Sequence, residues 1–80
     1  MTVQLIEGNF DAKDAIDIIT KMIHVKIKFQ EDKINDSSSE EEMKMRENRI
    51  IKLQKDLFEI RKHVEQQNGK ISIQSSININ

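Results

Sequence analysis

The stretch from Ala12 to Phe29, AKDAIDIITKMIHVKIKF, decides the fold of this chain. It contains neither proline nor glycine, and its apolar residues recur at the three- and four-residue spacing of an amphipathic helix. At about 100° per residue these side chains cover an arc of roughly 200°, whereas the apolar stripe of a surface helix usually spans little more than about 100°. The apolar members are Ala12, Ala15, Ile16, Ile18, Ile19, Met22, Ile23, Val25, Ile27 and Phe29. One neighbouring helix cannot cover this arc, and the stretch therefore predicts self-association.

Capping residues predict where the helices begin and end. Asp11 is a predicted N-cap for a first helix over residues 12–33, and a loop is expected over 34–39. Each residue of the serine cluster that follows stands three residues before a glutamate, the spacing of a capping box. The cluster consists of Ser37, Ser38 and Ser39. We take Ser39 as the N-cap of a second helix over residues 40–68, with Gly69 at its carboxyl end.

The second helix carries a heptad pattern with an apolar seam about three heptads long. The seam residues are Met43, Ile50, Leu53, Leu57, Ile60 and Val64, and the outer positions of the same face are the polar Arg46 and Gln67. Ile51 and Phe58 form a second, weaker strip about 100° away. Two apolar strips on one helix indicate two neighbours, which again predicts association beyond one hairpin.

Both ends of the chain alternate between apolar and polar residues, the pattern of a half-buried β-strand. The first strand is predicted over residues 2–7, where Gly8 and Asn9 are expected to end it. The second is predicted over residues 70–79, with Ser75 interrupting its apolar face. The residues expected to pair across the strands are Val3, Leu5, Ile71, Ile73, Ile77 and Ile79. Pairing within one chain and pairing between two chains both satisfy this pattern.

Together these elements predict a mainly α fold, with residues 1–80 forming a single domain in the order β-α-α-β. The helices form an antiparallel αα-hairpin with short terminal strands, and two hairpins associate into a dimeric four-helix bundle. The residues expected at the dimer interface are Ile16, Ile18, Ile19, Met22, Ile23, Val25, Phe29, Ile51 and Phe58.

Two polar residues, Lys26 and Gln30, fall within the apolar arc of the first helix. Polar groups at such positions can specify the register between helices, as they do in coiled coils. They also suit a hairpin whose loop end is more hydrated. The sequence leaves both interpretations open.

Composition argues against most kinds of chemical site. Charged residues make up 34% of the chain, but the net charge is only −1, so no basic field for nucleic acid is expected. With no cysteine, the chain has no disulfide and no thiolate zinc site. His63 and Glu59 form only one pair of potential metal ligands, too few for a site. We therefore expect no catalytic residues, no cofactor, no metal and, for want of an apolar run of about 20 residues, no membrane span.

These patterns favour a non-enzymatic module for protein–protein interaction or assembly. We expect a cytoplasmic homodimer or higher homo-oligomer that also contacts an unidentified protein partner. The alternative is a small dimeric regulator, a transcription accessory or antitoxin-like protein, that acts on nucleic acid.

Overall fold

A computed structural model describes residues 1–36 and 39–80 of the chain. The elements are β1 (Thr2–Phe10), α1 (Ala12–Asn35), α2 (Glu40–Glu65) and β2 (Ile71–Asn78). The predicted β-α-α-β order and the mainly helical character are confirmed. Gln30 hydrogen-bonds to Arg46 near the loop, and Thr20 hydrogen-bonds to Arg61 further from it, as expected of an antiparallel hairpin.

Helix α1 begins at its predicted position and ends later than predicted. Asp11 has the extended backbone of an N-cap, and its carbonyl accepts the Ala15 N–H at 2.9 Å. The helix continues two residues past the predicted end at Lys33, because Ile34 lies on the face that packs against α2 and is half-buried there. Lys33 in the last turn also favours the longer helix through its interaction with the helix dipole.

Helix α2 begins as predicted and ends earlier than predicted. The Ser39 hydroxyl accepts the Glu42 N–H at 3.1 Å, which confirms Ser39 as the N-cap. The other two serines of the cluster, Ser37 and Ser38, lie outside the described residues. The helix ends at Glu65 instead of residue 68, because the chain must reverse direction to bring β2 beside β1.

The end of α2 tightens before the chain turns. The N–H groups of Gln66 and Gln67 bond to the carbonyls of His63 and Val64, an i to i−3 pattern typical of a final helical turn. Gly69 follows with φ of 84°, the left-handed conformation predicted for it. It occupies the connection to β2, several residues after the helix end.

The two strands pair with each other in one antiparallel sheet, within a single chain. Contrary to the sequence prediction, β1 runs through Gly8 and Asn9 to Phe10. Gly8 pairs with Ile73 and Phe10 with Ile71. A Cβ built on Gly8 would lie 3.4 Å from Cζ of Phe10, so the ring already covers the space beside the glycine. Glycine usually weakens a strand. Here the cross-strand pairing and the contact with the Phe10 ring stabilise the strand at Gly8, so that it continues to Phe10.

A β-bulge interrupts the register between Gln4 and Ile6. Leu5 is the extra residue and has no partner in the register, which corrects its predicted role in strand pairing. The apolar pattern of β1 changes phase here, since Val3 is at an odd position while Ile6 and Phe10 are at even positions. One extra residue returns all three to the same face of the sheet.

The core is small and lies between the helices, with Val64 close to Ile71 and Ile73 of β2. Among the described residues, the buried apolar side chains are Ala15, Ile23, Leu53 and Val64. The predicted seam of α2 faces α1, and its other apolar members are half-buried. Neither helix is long and apolar enough to cross a membrane.

Candidate interaction surfaces

The isolated chain is flat and exposes more surface than a typical protein of its mass. Its Cα extents are 47 × 32 × 13 Å, and its radius of gyration is 15.2 Å, where a compact domain of this length has about 11.6 Å. Its accessible surface is 6363 Å², whereas a monomeric protein of 9.4 kDa typically exposes about 5,000 Å². The surplus of roughly 1,300 Å² is surface that this chain does not cover by itself.

Helix α1 has an apolar surface that runs along the helix. We call Ile18, Met22, Val25 and Phe29 the α1 stripe; their spacing of four, three and four residues places them on one face. Ile18 and Met22 are half-buried, but the exposed fraction is 70% for Val25 and 53% for Phe29. Val25 and Phe29, the half of the stripe nearer the loop, are therefore uncovered, and we call them the outer half of the stripe.

Helix α2 has a smaller uncovered apolar surface, formed by Ile51 and Phe58, which we call the α2 pair. The two residues are one heptad apart and are 49% and 65% exposed. They lie roughly 130° around the helix from the centre of the seam that faces α1, and about 100° from the nearer edge of that seam. The structure therefore separates the α2 pair from the core as the sequence predicts.

The α1 stripe and the α2 pair lie on opposite sides of the hairpin. On the sheet side, Ile19 and Ile60 line a depression together with Ile73 of β2. On the other side, the Arg61 guanidinium donates to the Thr20 hydroxyl at 3.5 Å. By helical spacing the stripe shares the sheet side with Ile19, whereas the α2 pair shares the other side with Arg61. One flat contact cannot cover both surfaces.

The remaining residues expected at the dimer interface are largely used within the chain. Ile23 is buried between the helices, so it is not available to a second copy. Ile16 and Ile19 are half-buried on either side of this contact. The wide arc of α1 is thus divided, because α2 covers one sector, the sheet covers part of another, and only the outer half of the α1 stripe stays exposed.

The sheet is best covered where it meets the helices. The isoleucines of the predicted set that lie closest to the helices, Ile71 and Ile73, are half-buried. Val3 and Ile77 pair with each other further out and are 40% and 41% exposed. Ile79 is 54% exposed and pairs with Met1 through backbone bonds. The outer half of the sheet therefore has an apolar face that the chain's own helices leave uncovered.

An ion pair closes the sheet at its inner end. The Lys70 ammonium donates to the Asp11 carboxylate at 2.6 Å, across 59 residues of sequence. This hydrogen bond and the attraction of Asp11 raise the pKa of Lys70 above its ordinary value. The pair therefore contributes stability at pH values below the ordinary pKa of lysine, and this contribution is lost as the pH rises through the raised pKa. Local sequence carries no signal for such a contact.

A polar cluster joins the helices near the loop. Arg46 donates through Nη1 to Oε1 of Gln30 at 2.9 Å and through Nη2 to Oε1 of Glu42 at 3.5 Å. The Arg46 side chain is only 15% exposed, and its Nε is buried with no hydrogen-bond partner among the described residues. Gln30 thus has a specific partner on the other helix, in agreement with a role in register, whereas Lys26 is exposed.

The polar side chains offer little organised chemistry. Both histidines, His24 and His63, are exposed. Within residues 1–36 and 39–80, no group of three or more His, Asp or Glu side chains is arranged to hold a metal ion. Comparison of the chain with protein-family models, with curated proteins and with solved structures gives no match. The exposed apolar surfaces and the edges of the sheet are the features from which a function can be argued.

Proposed function

We propose that this protein is a non-enzymatic assembly module that acts in the cytoplasm as a homodimer or higher homo-oligomer. The observation that carries the proposal is the uncovered outer half of the α1 stripe, where Val25 and Phe29 are mostly exposed. Burying apolar surface yields about 25 cal/mol per Å². In a protein of 80 residues with a small core, the free energy gained by burying such a surface in an interface is comparable to the free energy of unfolding of the whole fold.

The amount of surplus surface supports self-association. A stable interface buries about 800 Å² on each partner, less than the roughly 1,300 Å² by which this chain exceeds a typical monomer. Packing two hairpins through their α1 stripes would produce the proposed four-helix arrangement. The α2 pair would then remain on the outside, available to a further copy or to an unidentified protein partner.

The alternative of a regulator that binds nucleic acid has weaker support. The basic residues of α2 are interleaved with acidic ones, and Lys52 is paired with Asp56 at 3.1 Å. Binding to the phosphates of nucleic acid favours a continuous basic surface. The interleaved acidic residues interrupt such a surface, and the net charge of −1 also argues against it.

The proposal is tested by size-exclusion chromatography with light scattering on the wild type and on Phe29→Glu and Phe58→Glu variants. We expect the wild type to have at least twice the monomer mass of 9.4 kDa. Phe29→Glu places a charge in the α1 stripe and should lower the mass of the assembly relative to the wild type, with its helical circular dichroism retained. Phe58→Glu should reduce only assemblies larger than the dimer.

His24→Glu is the matched control, because it introduces the same charge at an exposed position of α1 outside the stripe. It should leave the mass unchanged. A folded wild-type protein of 9.4 kDa at every concentration would overturn the proposal.

A further inference from the structure

We propose that the outer edge of β2 pairs antiparallel with β2 of a second copy, around a two-fold axis at Ser75. The result is a continuous four-stranded sheet in the order β1-β2-β2-β1. This inference rests on the proposed self-assembly and specifies a strand through which two copies join.

The backbone groups available at this edge follow from the pairing of the chain ends. Met1 and Ile79 exchange two backbone hydrogen bonds, of 2.8 and 2.7 Å, and therefore form a hydrogen-bonded pair. Because such pairs alternate along an antiparallel ladder, the odd-numbered residues of β2 bond to β1 and the even-numbered ones point outward. The outward N–H and C=O groups belong to Ser72, Gln74, Ser76 and Asn78. No hydrogen bond from the described part of the chain reaches them.

The opposite edge of the sheet is protected. In β1 the bulge at Leu5 interrupts the regular backbone. Glu7 adds a charge. Bulges and charges are devices by which proteins prevent strand addition at an exposed edge.

The β2 edge has none of these devices. Its sequence from Ile71 to Asn78, ISIQSSIN, contains no charge, no proline and no glycine, and its pairing is regular on the β2 side. An exposed, uncharged and regular strand edge is a template for another strand. The contrast between the two edges assigns strand addition to β2.

The residue pattern of β2 is symmetric about Ser75, which points to a second copy as the added strand. Ile73 and Ile77 flank Ser75 at two residues, and Ile71 and Ile79 flank it at four. A two-fold axis perpendicular to the sheet keeps the apolar faces of both copies on the same side. It places Ile73 opposite Ile77 of the second copy, and Ile71 opposite Ile79 of the second copy.

This register also satisfies the backbone. Ser72 exchanges hydrogen bonds with Asn78 of the second copy, and Gln74 with Ser76 of the second copy, using the groups that point outward. Across the whole contact this forms about eight backbone hydrogen bonds. The two Ser75 residues meet on the axis in a non-hydrogen-bonded pair, where Cα atoms are only about 4.5 Å apart and a small side chain fits well.

The added copy covers apolar surface that one chain leaves open. Ile77 and Ile79 are exposed in the outer half of the sheet, whereas Ile71 and Ile73 are half-buried next to the helices. In the proposed register, the exposed Ile77 and Ile79 of each copy lie beside the half-buried Ile73 and Ile71 of the other copy. The surplus accessible surface of roughly 1,300 Å² per chain, which this contact shares with the α1 stripe, compares with the about 800 Å² that a stable dimer buries on each partner.

Single cysteines test the register, because the natural chain has no cysteine. With mild oxidant, Ser75→Cys should convert most of the protein to a disulfide-linked dimer, since the expected Cα separation of about 4.5 Å lies within disulfide range. In the same register the Cα atoms of residue 72 in the two copies are about 20 Å apart, and those of residue 76 about 8 Å. The matched controls Ser72→Cys and Ser76→Cys should therefore remain largely monomeric on a denaturing gel.

Equal cross-linking of Ser72→Cys and Ser75→Cys, or cross-linking of neither, would overturn the register. Light scattering on the same samples separates the two proposals. A dimeric wild type without Ser75 cross-linking leaves assembly through the helices in place and removes only the β2 contact, whereas a monomeric wild type removes both.

A second pair of variants, made in the Ser75→Cys background, tests the backbone of the edge. Gln74→Pro removes an N–H that points outward but should leave the pairing of β2 with β1 in place, as edge prolines do. We expect it to abolish Ser75→Cys cross-linking, while Gln74→Ala, which keeps the N–H, preserves it. Retained cross-linking in the proline variant would also contradict the proposal.

Discussion

At the scale of single residues, two predicted N-caps serve different purposes. Ser39 caps α2 with its hydroxyl, as the capping-box spacing indicates. Asp11 stands at the N-cap position of α1, but its side chain makes no capping hydrogen bond and binds Lys70 instead. The difference arises because a capping bond is local, whereas the Asp11 carboxylate meets a cation brought near only by the pairing of the two strands.

The Ser39 cap should be measurable as stability. We expect Ser39→Ala to lower the free energy of unfolding by about 1 kcal/mol, because the Glu42 N–H loses its acceptor. Urea unfolding followed by circular dichroism measures the change. Ser39→Asp is the control, since it retains an acceptor oxygen and should remain close to wild type. An alanine variant as stable as the aspartate variant would contradict the role of Ser39.

At the scale of elements, the helix pair combines an apolar seam with one polar contact. Leu53 and Val64 are buried against α1, and the heptad spacing predicts the face on which they lie. Arg46 occupies a position of the same face and reaches Gln30 on the other helix. A half-buried polar contact of this kind contributes less to stability than to the choice of one register over its neighbours.

The contact between Arg46 and Gln30 can be tested by a double-mutant cycle. Gln30→Leu alone should cost about 1–2 kcal/mol of unfolding free energy, because the guanidinium loses an acceptor in a half-buried position. The double variant Gln30→Leu with Arg46→Met should recover wild-type stability or exceed it, since an apolar pair replaces the polar one. Urea unfolding of the wild type, both single variants and the double variant gives the coupling energy. Strictly additive effects would show that the two side chains do not interact.

At the scale of the whole molecule, the shape departs from that of a compact domain of this length. The radius of gyration of 15.2 Å and the smallest extent of 13 Å reflect a flat, elongated chain with two long helices. Few side chains are buried, and the exposed apolar residues lie on separate surfaces of the hairpin and on the outer sheet. A chain with this distribution leaves apolar surface exposed that contacts with other molecules would cover.

Stability should therefore depend on protein concentration. For a dimer that unfolds to monomers, each tenfold increase in concentration adds about 1.4 kcal/mol of apparent stability. We expect the urea midpoint of the wild type to rise over a hundredfold concentration range. The Phe29→Glu variant should have a midpoint that is lower and less dependent on concentration. The same midpoint for the wild type across this range would indicate a stable monomer.

Much of the fold could be predicted because its signals are local. Helical spacing around Ile23 and Leu53, the capping serine and the alternation in β2 each act within a few residues. The end of β1 was predicted too early, because Gly8 is supported by Ile73 across the sheet and by the Phe10 ring. These contacts do not exist in the local sequence.

By itself, the sequence determined the element types, their order and the surplus of apolar surface, because helical and strand periodicities are properties of consecutive residues. Only the tertiary structure decided that the strands pair in one chain, that a bulge corrects the phase of β1, and that Ile23 belongs to the core of the hairpin. It also decided that the α1 stripe and the α2 pair face opposite sides. These outcomes depend on how distant segments are oriented around one another, which no local period encodes.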